Sequence, residues 1–292
     1  MIGPEHEGAR PATGPGFADA VTFAWGDATT RLYGLARLGL DGDGTASALA
    51  VLFSGAEPVA ATARGGIELS AAPDFVDLAA GGLRATVDAP LREWSVAFEG
   101  IGSDFALSAL AITPPAEIDP AEPVAQAGGM TGYEQLCQIR GTVRVAGTEH
   151  VVDCLGQRSH VWGEPDWDRI DSTRTVSAWL DDETGVSVTS VRPRGTKGHD
   201  RDAAWGVVLD PAGSLHVDEP RVSTIYDGGG RQRRAGLELW MGEDEGYARR
   251  AAGEVLCGST FDLGALRLDC AFFTWHMEGR QGVGRYDLVR RA

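Results

Sequence analysis

The sequence predicts an all-β chain built of sandwiches or barrels, and three features predict it. Segments of strand length alternate with Gly- and Asp-rich turns at the spacing of antiparallel β domains. The 40 glycines supply the turns and bulges where positive φ is required. No long stretch carries the apolar period of an amphipathic helix.

The elements follow in order. Residues 1–16, MIGPEHEGARPATGPG, are polar and rich in Gly and Pro, and they read as a flexible N-terminal arm. A first β domain is expected over residues 17–111. It opens with Thr30–Leu40, the turn Asp41–Gly44 and the strand ASALAVLFSG. Ala72–Ala80, APDFVDLAA, reads as a short helix. Residues 112–129 hold four prolines and little periodicity, the marks of a linker. A second β domain is expected over residues 130–292. Hairpins there turn near Ala146–Gly147, Asp181–Gly185 and Asp210–Gly213, and two closing strands run around Gly282 and Gly284.

Composition removes several function classes. A net charge of -16 argues against nucleic acid or an anionic membrane as partner, because phosphates are held by dense Lys/Arg surfaces. Lys197 is the only lysine, which removes Schiff-base and P-loop chemistry from nearly the whole chain. The short basic clusters Arg231–Arg234 and Arg249–Arg250 read as solvated strand and turn faces. The arm lacks the basic start and apolar core of a secretory leader, and no run approaches the ~18 apolar residues of a membrane span. A protein of the cytoplasm without a transmembrane segment is expected. Cys137 and Cys154, and Cys257 and Cys270, flank probable turns without CxxC spacing. They read as small buried residues, with a disulfide or zinc site as the alternatives. GxSxG, Walker and HExxH motifs are absent, and Gly282-Val-Gly284 lacks the third glycine of a dinucleotide loop. No cofactor and no metal are expected.

Chemistry-bearing side chains concentrate in GQRSHVWGEPDW, Gly156–Trp167. If the strand from Val151 continues, Arg158, His160 and Trp162 share one face and Gln157, Ser159 and Val161 the other. A face of Arg, His and Trp needs partners or water, since an unpaired buried charge costs several kcal/mol. One reading is a structural lock, Arg158 bridged to a carboxylate such as Glu164, Asp166 or Asp168 with indoles on the rim. Another is a cavity wall where His160 or a carboxylate exchanges a proton with a ligand. A metal site of His160, Glu164 and Asp166 is a third. In TGYEQL, Tyr133 and Gln135 share a face opposite Glu134, so one face carries a polar group inward. His276 and Glu278 likewise share a face opposite Trp275 and Met277, as a surface pair or as a polar spot in a cavity. Trp162, Trp167, Trp179, Trp240 and Trp275 are core or rim indoles that would also suit a pocket for a flat or polyene ligand.

These segments carry a resemblance. YEQLCQIRGTVRVAG, then CLGQRSHVWGEPDW, then a closing glycine-rich strand pair resemble the hydroxyneurosporene synthase (carotenoid 1,2-hydratase) and AttH-like group. The likeness is good over about Trp94–Asp168 and extends to the rest only in pattern. Arg158, His160, Trp162, Gly163, Asp166 and Trp167 match the group's G-x-R-D-H-S-W-G-x-R-D-W string, whereas Ser159, Val161 and Pro165 replace its aspartate, serine and arginine. The resemblance implies two lipocalin-like β-barrels in tandem and cofactor-free chemistry on a hydrophobic isoprenoid, polyene or polyketide. Acid-assisted hydration, cyclisation or isomerisation in a barrel cavity is the function expected. Glu164 or Asp166 would be the proton donor, with Arg158 and His160 orienting and tuning it. The competing reading is a carrier of a lipid, steroid or polyene. The partners expected are the hydrophobic small molecule and, at most, a second copy of the chain as a homodimer.

Overall fold

The structure, a computed structural model, describes residues 1–69, 73–181, 183–196, 198, 201–242 and 247–292. The chain forms two compact units. One comprises Met1–Glu117 with Met130–Pro165, the other Ile118–Gly129 with Asp166–Ala292.

The first half of the chain supplies β1 (Ala18–Asp27), β2 (Leu32–Asp41), β3 (Ala46–Ser54), β4 (Glu57–Ile67), β5 (Asp77–Ala80) and β6 (Leu83–Ala89). It continues with β7 (Glu93–Glu99), β8 (Ser103–Ala111), β9 (Ala116–Ile118), the helix α1 (Pro123–Gly128), β10 (Met130–Val145) and β11 (Thr148–Gly163). The first sheet runs β4-β3-β2-β1-β11-β10-β8-β7-β6-β5, so its first strand pairs with its last. Its two ends curl together: a Cβ added to Gly81, between β5 and β6, would lie 2.7 Å from the Ala48 Cβ of β3. Alternation places Phe23, Trp25, Trp94, Val96, Phe105 and Ile139 in the core inside this curl.

The second unit contributes β12 (Ile170–Leu180), β13 (Gly185–Pro193), β14 (Ala203–Asp210), β15 (Gly213–His216) and β16 (Glu219–Tyr226). Then come β17 (Gln232–Trp240), β18 (Arg249–Asp262), β19 (Leu266–Met277) and β20 (Arg280–Arg291). The order is β15-β14-β13-β12-β20-β19-β18-β17-β16, again with first strand against last. Here too the ends meet, where a Cβ added to Gly206 of β14 would lie 2.9 Å from the Pro220 Cβ of β16. Val176, Leu180, Phe273, Trp275 and Tyr286 fill the interior. The all-β class expected from the sequence is the class observed.

Four local expectations are corrected. The division of the chain does not fall at a linker over 112–129. The hairpin β10–β11 pairs along its length with β1 and β8, and these backbone bonds draw Met130–Pro165 into the first sheet. The supposed linker contains β9 and α1, which packs on β13 and ends at Gly129 with φ 65°. The arm is ordered: Pro4–His6 forms one 3-10 turn and Glu7 is 2% exposed. The segment read as a short helix is strand β5, because Leu78 and Ala80 alternate inward with period two; Ala72 lies outside the described residues. The last hairpin turns at Glu278–Gly279, not around Gly282 and Gly284. Those two glycines lie inside β20, where a Cβ would sit 1.8 Å from the Trp179 carbonyl and 1.9 Å from that of Ser177. They are close-approach glycines.

The four cysteines are free. Cys154 stands opposite Ile139 and Cys137 opposite Gly156, so the hairpin partners are out of register with one another. Burial pushes the Cys137 and Cys257 thiols up to about 12, as befits small core residues. No described helix is long and apolar enough to cross a membrane.

Candidate functional site

At one end of the first sheet the core face turns polar. The pairing register sets Asp19 opposite Trp162, Val21 opposite His160 and Phe23 opposite Arg158 across β1 and β11. Across β10 and β11 it sets Tyr133 opposite His160 and Gln135 opposite Arg158. The shared face of Arg158, His160 and Trp162 inferred from alternation is therefore real, and Tyr133 and Gln135 join it. Because Phe23 belongs to the apolar core below, this polar rung caps the core rather than facing open solvent.

Arg158 is 1% exposed. Its guanidinium lies over the Trp94 ring, 4.2 Å from the centroid, and its Nη1 donates to the Tyr133 hydroxyl at 2.8 Å. Its Nη2 pairs with Glu7 of the arm. Glu7 also accepts the Leu91 N–H at 2.8 Å and the Trp94 indole N–H at 3.2 Å. Leu91 holds φ 59°, a left-handed conformation that is costly for a non-glycine residue. While its N–H faces Glu7, its carbonyl accepts Gln135 Nε2 at 3.1 Å.

His160 is fully buried. Its Nε2 lies 2.7 Å from Asp19 Oδ1, while Asp19 Oδ2 accepts the Arg10 N–H at 2.7 Å. The rings of Phe75, Trp162 and Tyr133 surround the imidazole at 5.1, 5.2 and 5.8 Å. Burial pushes the Tyr133 hydroxyl up to about 12 against the opposing pull of Arg158, so it stays protonated and can donate. Three buried polar atoms of this rung have no hydrogen-bond partner: Arg158 Nε, His160 Nδ1 and Gln135 Oε1. Unsatisfied buried groups of this kind are costly and call for an explanation, a catalytic role among them; others lie outside this rung, at Trp25, Trp240, Trp275 and Arg285.

The other residues singled out by sequence lie elsewhere. Glu164 is exposed and accepts a bond from Thr13, and exposed Asp166 accepts the Asp168 N–H at 3.0 Å to close a turn. Arg158 is thus bridged to Glu7, not to Glu164, Asp166 or Asp168. Among the described residues no His, Cys, Asp or Glu side chains gather in threes as a metal site. Glu134 and Gln157 are bonded to each other on the opposite, also buried, face of the sheet.

In the second unit Trp275 is in the core, while Trp179 and Trp240 alternate away from the inward Leu180 and Leu239. These three indoles therefore do not line one cavity. Trp167 is half-buried, and its carbonyl accepts Arg291 at 2.9 Å. His276 is exposed, and Glu278 pairs with Arg249 at 2.8 Å, whose charge holds its carboxyl below the usual range. Both lie on the surface, where Glu278 is paired with Arg249 rather than with His276. Sequence reasoning missed Glu7, Asp19, Leu91 and Trp94. None carries a local signal, because each reaches the site through pairing distant in sequence.

The sequence model of a family described as a domain of unknown function (DUF7064) matches residues 3–290. Comparison with curated proteins finds no match. Among solved structures, an AttH-type protein from Nitrosomonas europaea superposes with TM-score 0.69 at 14% identity, over 93% of this chain and 91% of that one. CghA with Sch210972 gives TM-score 0.63 at 14% identity, over 95% of this chain and 89% of that one. CghA alone gives 0.62 at 13%, over the same 95% and 89%. These likenesses place the chain in the lipocalin-like all-β fold.

Proposed function

The chain belongs to the DUF7064 family, and from that premise we propose that it is a cofactor-independent enzyme acting on a hydrophobic small molecule at the polar rung of its first sheet. The observation that carries this reading is the fully buried His160, bonded to Asp19 through Nε2 and bare at Nδ1 among Phe75, Trp162 and Tyr133. A carboxylate accepts, so Nε2 carries hydrogen, and Nδ1 is left to give or take a proton. Asp19 orients the ring and stabilises the imidazolium. Beside it, Arg158 and the protonated Tyr133 hydroxyl form a fixed donor pair for oxygen that gains negative charge. Such a set serves acid-assisted hydration, cyclisation or isomerisation: Nδ1 delivers the proton, the donors polarise the substrate, and the aromatic walls keep out bulk water, so that a hydration uses the one water admitted with the substrate, whose proton returns to Nδ1. The AttH and CghA likenesses fit an enzyme on this fold.

A carrier of a lipid, steroid or polyene gives the buried His160–Asp19 pair no role. Two voids among the side chains of the first core hold no more than about 10 Å³, room for about one water, too little for a carried ligand and equally too little for the reaction inside a barrel cavity expected from the sequence. Substrate therefore meets the rung from the end covered by the arm.

The test is incubation of the full chain with hydrophobic metabolite extracts, read by mass spectrometry. A compound should gain water or change retention at constant mass, and the conversion should vanish in His160→Gln and Asp19→Asn. Conversion retained in both variants would remove these residues from the mechanism.

A further inference from the structure

We propose that the nest now filled by the Glu7 carboxylate is a receptor for the carboxylate of an amphipathic organic acid, whose apolar part lies along the aromatic walls of the rung. This deepens the proposed function by naming the substrate class, and it rests on that reading for the identification of the site.

The nest is built by three separate elements. The strained turn between β6 and β7 aims the Leu91 N–H, β7 supplies the Trp94 indole N–H, and β11 supplies the Arg158 guanidinium. One carboxylate oxygen takes Leu91 and the other takes Trp94 and Arg158, a division that suits a planar two-oxygen anion. Arg158 retains an unpartnered Nε, so its donor capacity exceeds what Glu7 uses. Two donors sit on strands of the barrel and one on the turn between β6 and β7, while their occupant sits on the arm.

The arm is the replaceable part. Besides Glu7, it is tied to its unit by polar contacts at its edge: Ala9 N–H to Asp74 at 3.2 Å, Arg10 N–H to Asp19 at 2.7 Å, Thr13 to Glu164 and the N-terminus to Glu117 at 2.8 Å. Apart from the buried bonds of Glu7 and the part-buried bond of Arg10 these ties are exposed, and segments with few buried contacts open below the global unfolding free energy. When the arm lifts, Arg158 is left buried and unpaired, a state that only another anion relieves without unfolding the sheet. Lifting also frees the face of Trp162, now covered by Arg10 and flanked by the tilted His6 ring, so an apolar surface opens beside the charge. A neutral hydrophobe satisfies the rings but not the guanidinium. A small inorganic anion satisfies the guanidinium but not the rings. An organic acid does both.

The probes are decanoate and decanol, measured calorimetrically on the full chain and on Glu7→Gln, which keeps side-chain shape and removes the internal competitor. Decanoate should bind Glu7→Gln at least tenfold more tightly than the wild type, with decanol weaker and equal in both. The double variant Glu7→Gln/Arg158→Gln should lose the preference for the acid. A Glu7→Gln protein that binds decanoate no better than the wild type, or binds decanol as well, overturns the receptor.

If Glu7→Gln does not fold, the wild type decides. Decanoate but not decanol should speed cleavage after Glu7 by a glutamate-specific protease several-fold, and equal rates overturn the proposal. The two readings fail separately. Acid binding without His160-dependent conversion removes the enzyme and keeps the receptor. Conversion of neutral substrates as fast as acids removes the receptor and keeps the enzyme.

Discussion

The two sheets are wired alike, first strand against last, yet their central strands carry different chemistry inward. In the first, β1, β11 and β10 present Asp19, His160, Arg158, Tyr133 and Gln135 to one end of the interior. In the second, β12, β20 and β19 present Val176, Leu180, Tyr286, Phe273 and Trp275, and Arg174, buried on the same face of β12, is paired with Asp202. Tyr286, the matching phenol there, is satisfied by Thr224 at 2.7 Å. Both sheets thus bury a guanidinium and a phenol, but only the first gathers a His–carboxylate pair beside them, so topology does not demand that pair. Folding tolerates the polar rung, and the gathering of Asp19, His160, Arg158 and Tyr133 on one buried face is what marks it as a candidate site.

The comparison breaks most sharply on activity. His160→Gln should lower conversion by about 100-fold or more, in the range of lost acid–base catalysis, with only a modest change in stability. Trp275→Ala in the second sheet should do the reverse. Its indole is fully buried, so truncation should cost about 3–5 kcal/mol in denaturant unfolding while leaving conversion per folded molecule intact. If Trp275→Ala also changed the reaction itself, the division into a chemical sheet and a structural sheet would fail.

Alkaline titration sharpens the same contrast with a smaller effect. Tyr133 and Tyr286 are both raised by burial, and in each case a neighbouring cation opposes the rise, Arg158 at Tyr133 and Arg174 at Tyr286. A phenol whose folded value exceeds its unfolded value of 10.0 contributes stability that is fully present below about pH 10 and is lost as pH rises towards the folded value. Arg158→Gln should therefore delay the Tyr133 step in tyrosinate absorbance and leave that of Tyr286 in place, and an unchanged Tyr133 midpoint would show that Arg158 does not act on the phenol.

Legibility follows sequence distance. The strand character of Gly156–Trp162 and the common face of Arg158, His160 and Trp162 were readable, because period-two alternation is a local property. The partners of that face were not. Glu7 and Asp19 reach Arg158 and His160 across 151 and 141 residues. Glu7 moreover lies in a Gly- and Pro-rich stretch whose composition reads as disorder, and partners distant in sequence, among them the donors waiting for Glu7, order the arm. The acids adjacent in sequence, Glu164 and Asp166, were the natural partners on spacing alone. The strand ends at Gly163, however, so period-two alternation stops there and carries neither acid onto the inner face.

That last point yields the smallest expected effect and a stringent one. Glu164→Gln and Asp166→Asn alter exposed carboxylates with one surface bond each, so stability should move by about 0.5 kcal/mol or less and conversion should be unchanged. Glu164 has one route to influence, because its bond to Thr13 helps to hold the arm over the rung. Glu164→Gln should therefore speed cleavage after Glu7 slightly, where Asp166→Asn does not. If either substitution instead abolished conversion while His160→Gln did not, the proton donor would belong to the turn after β11, as spacing first suggested. The buried His160–Asp19 pair would then be a lock that holds β1 against β11.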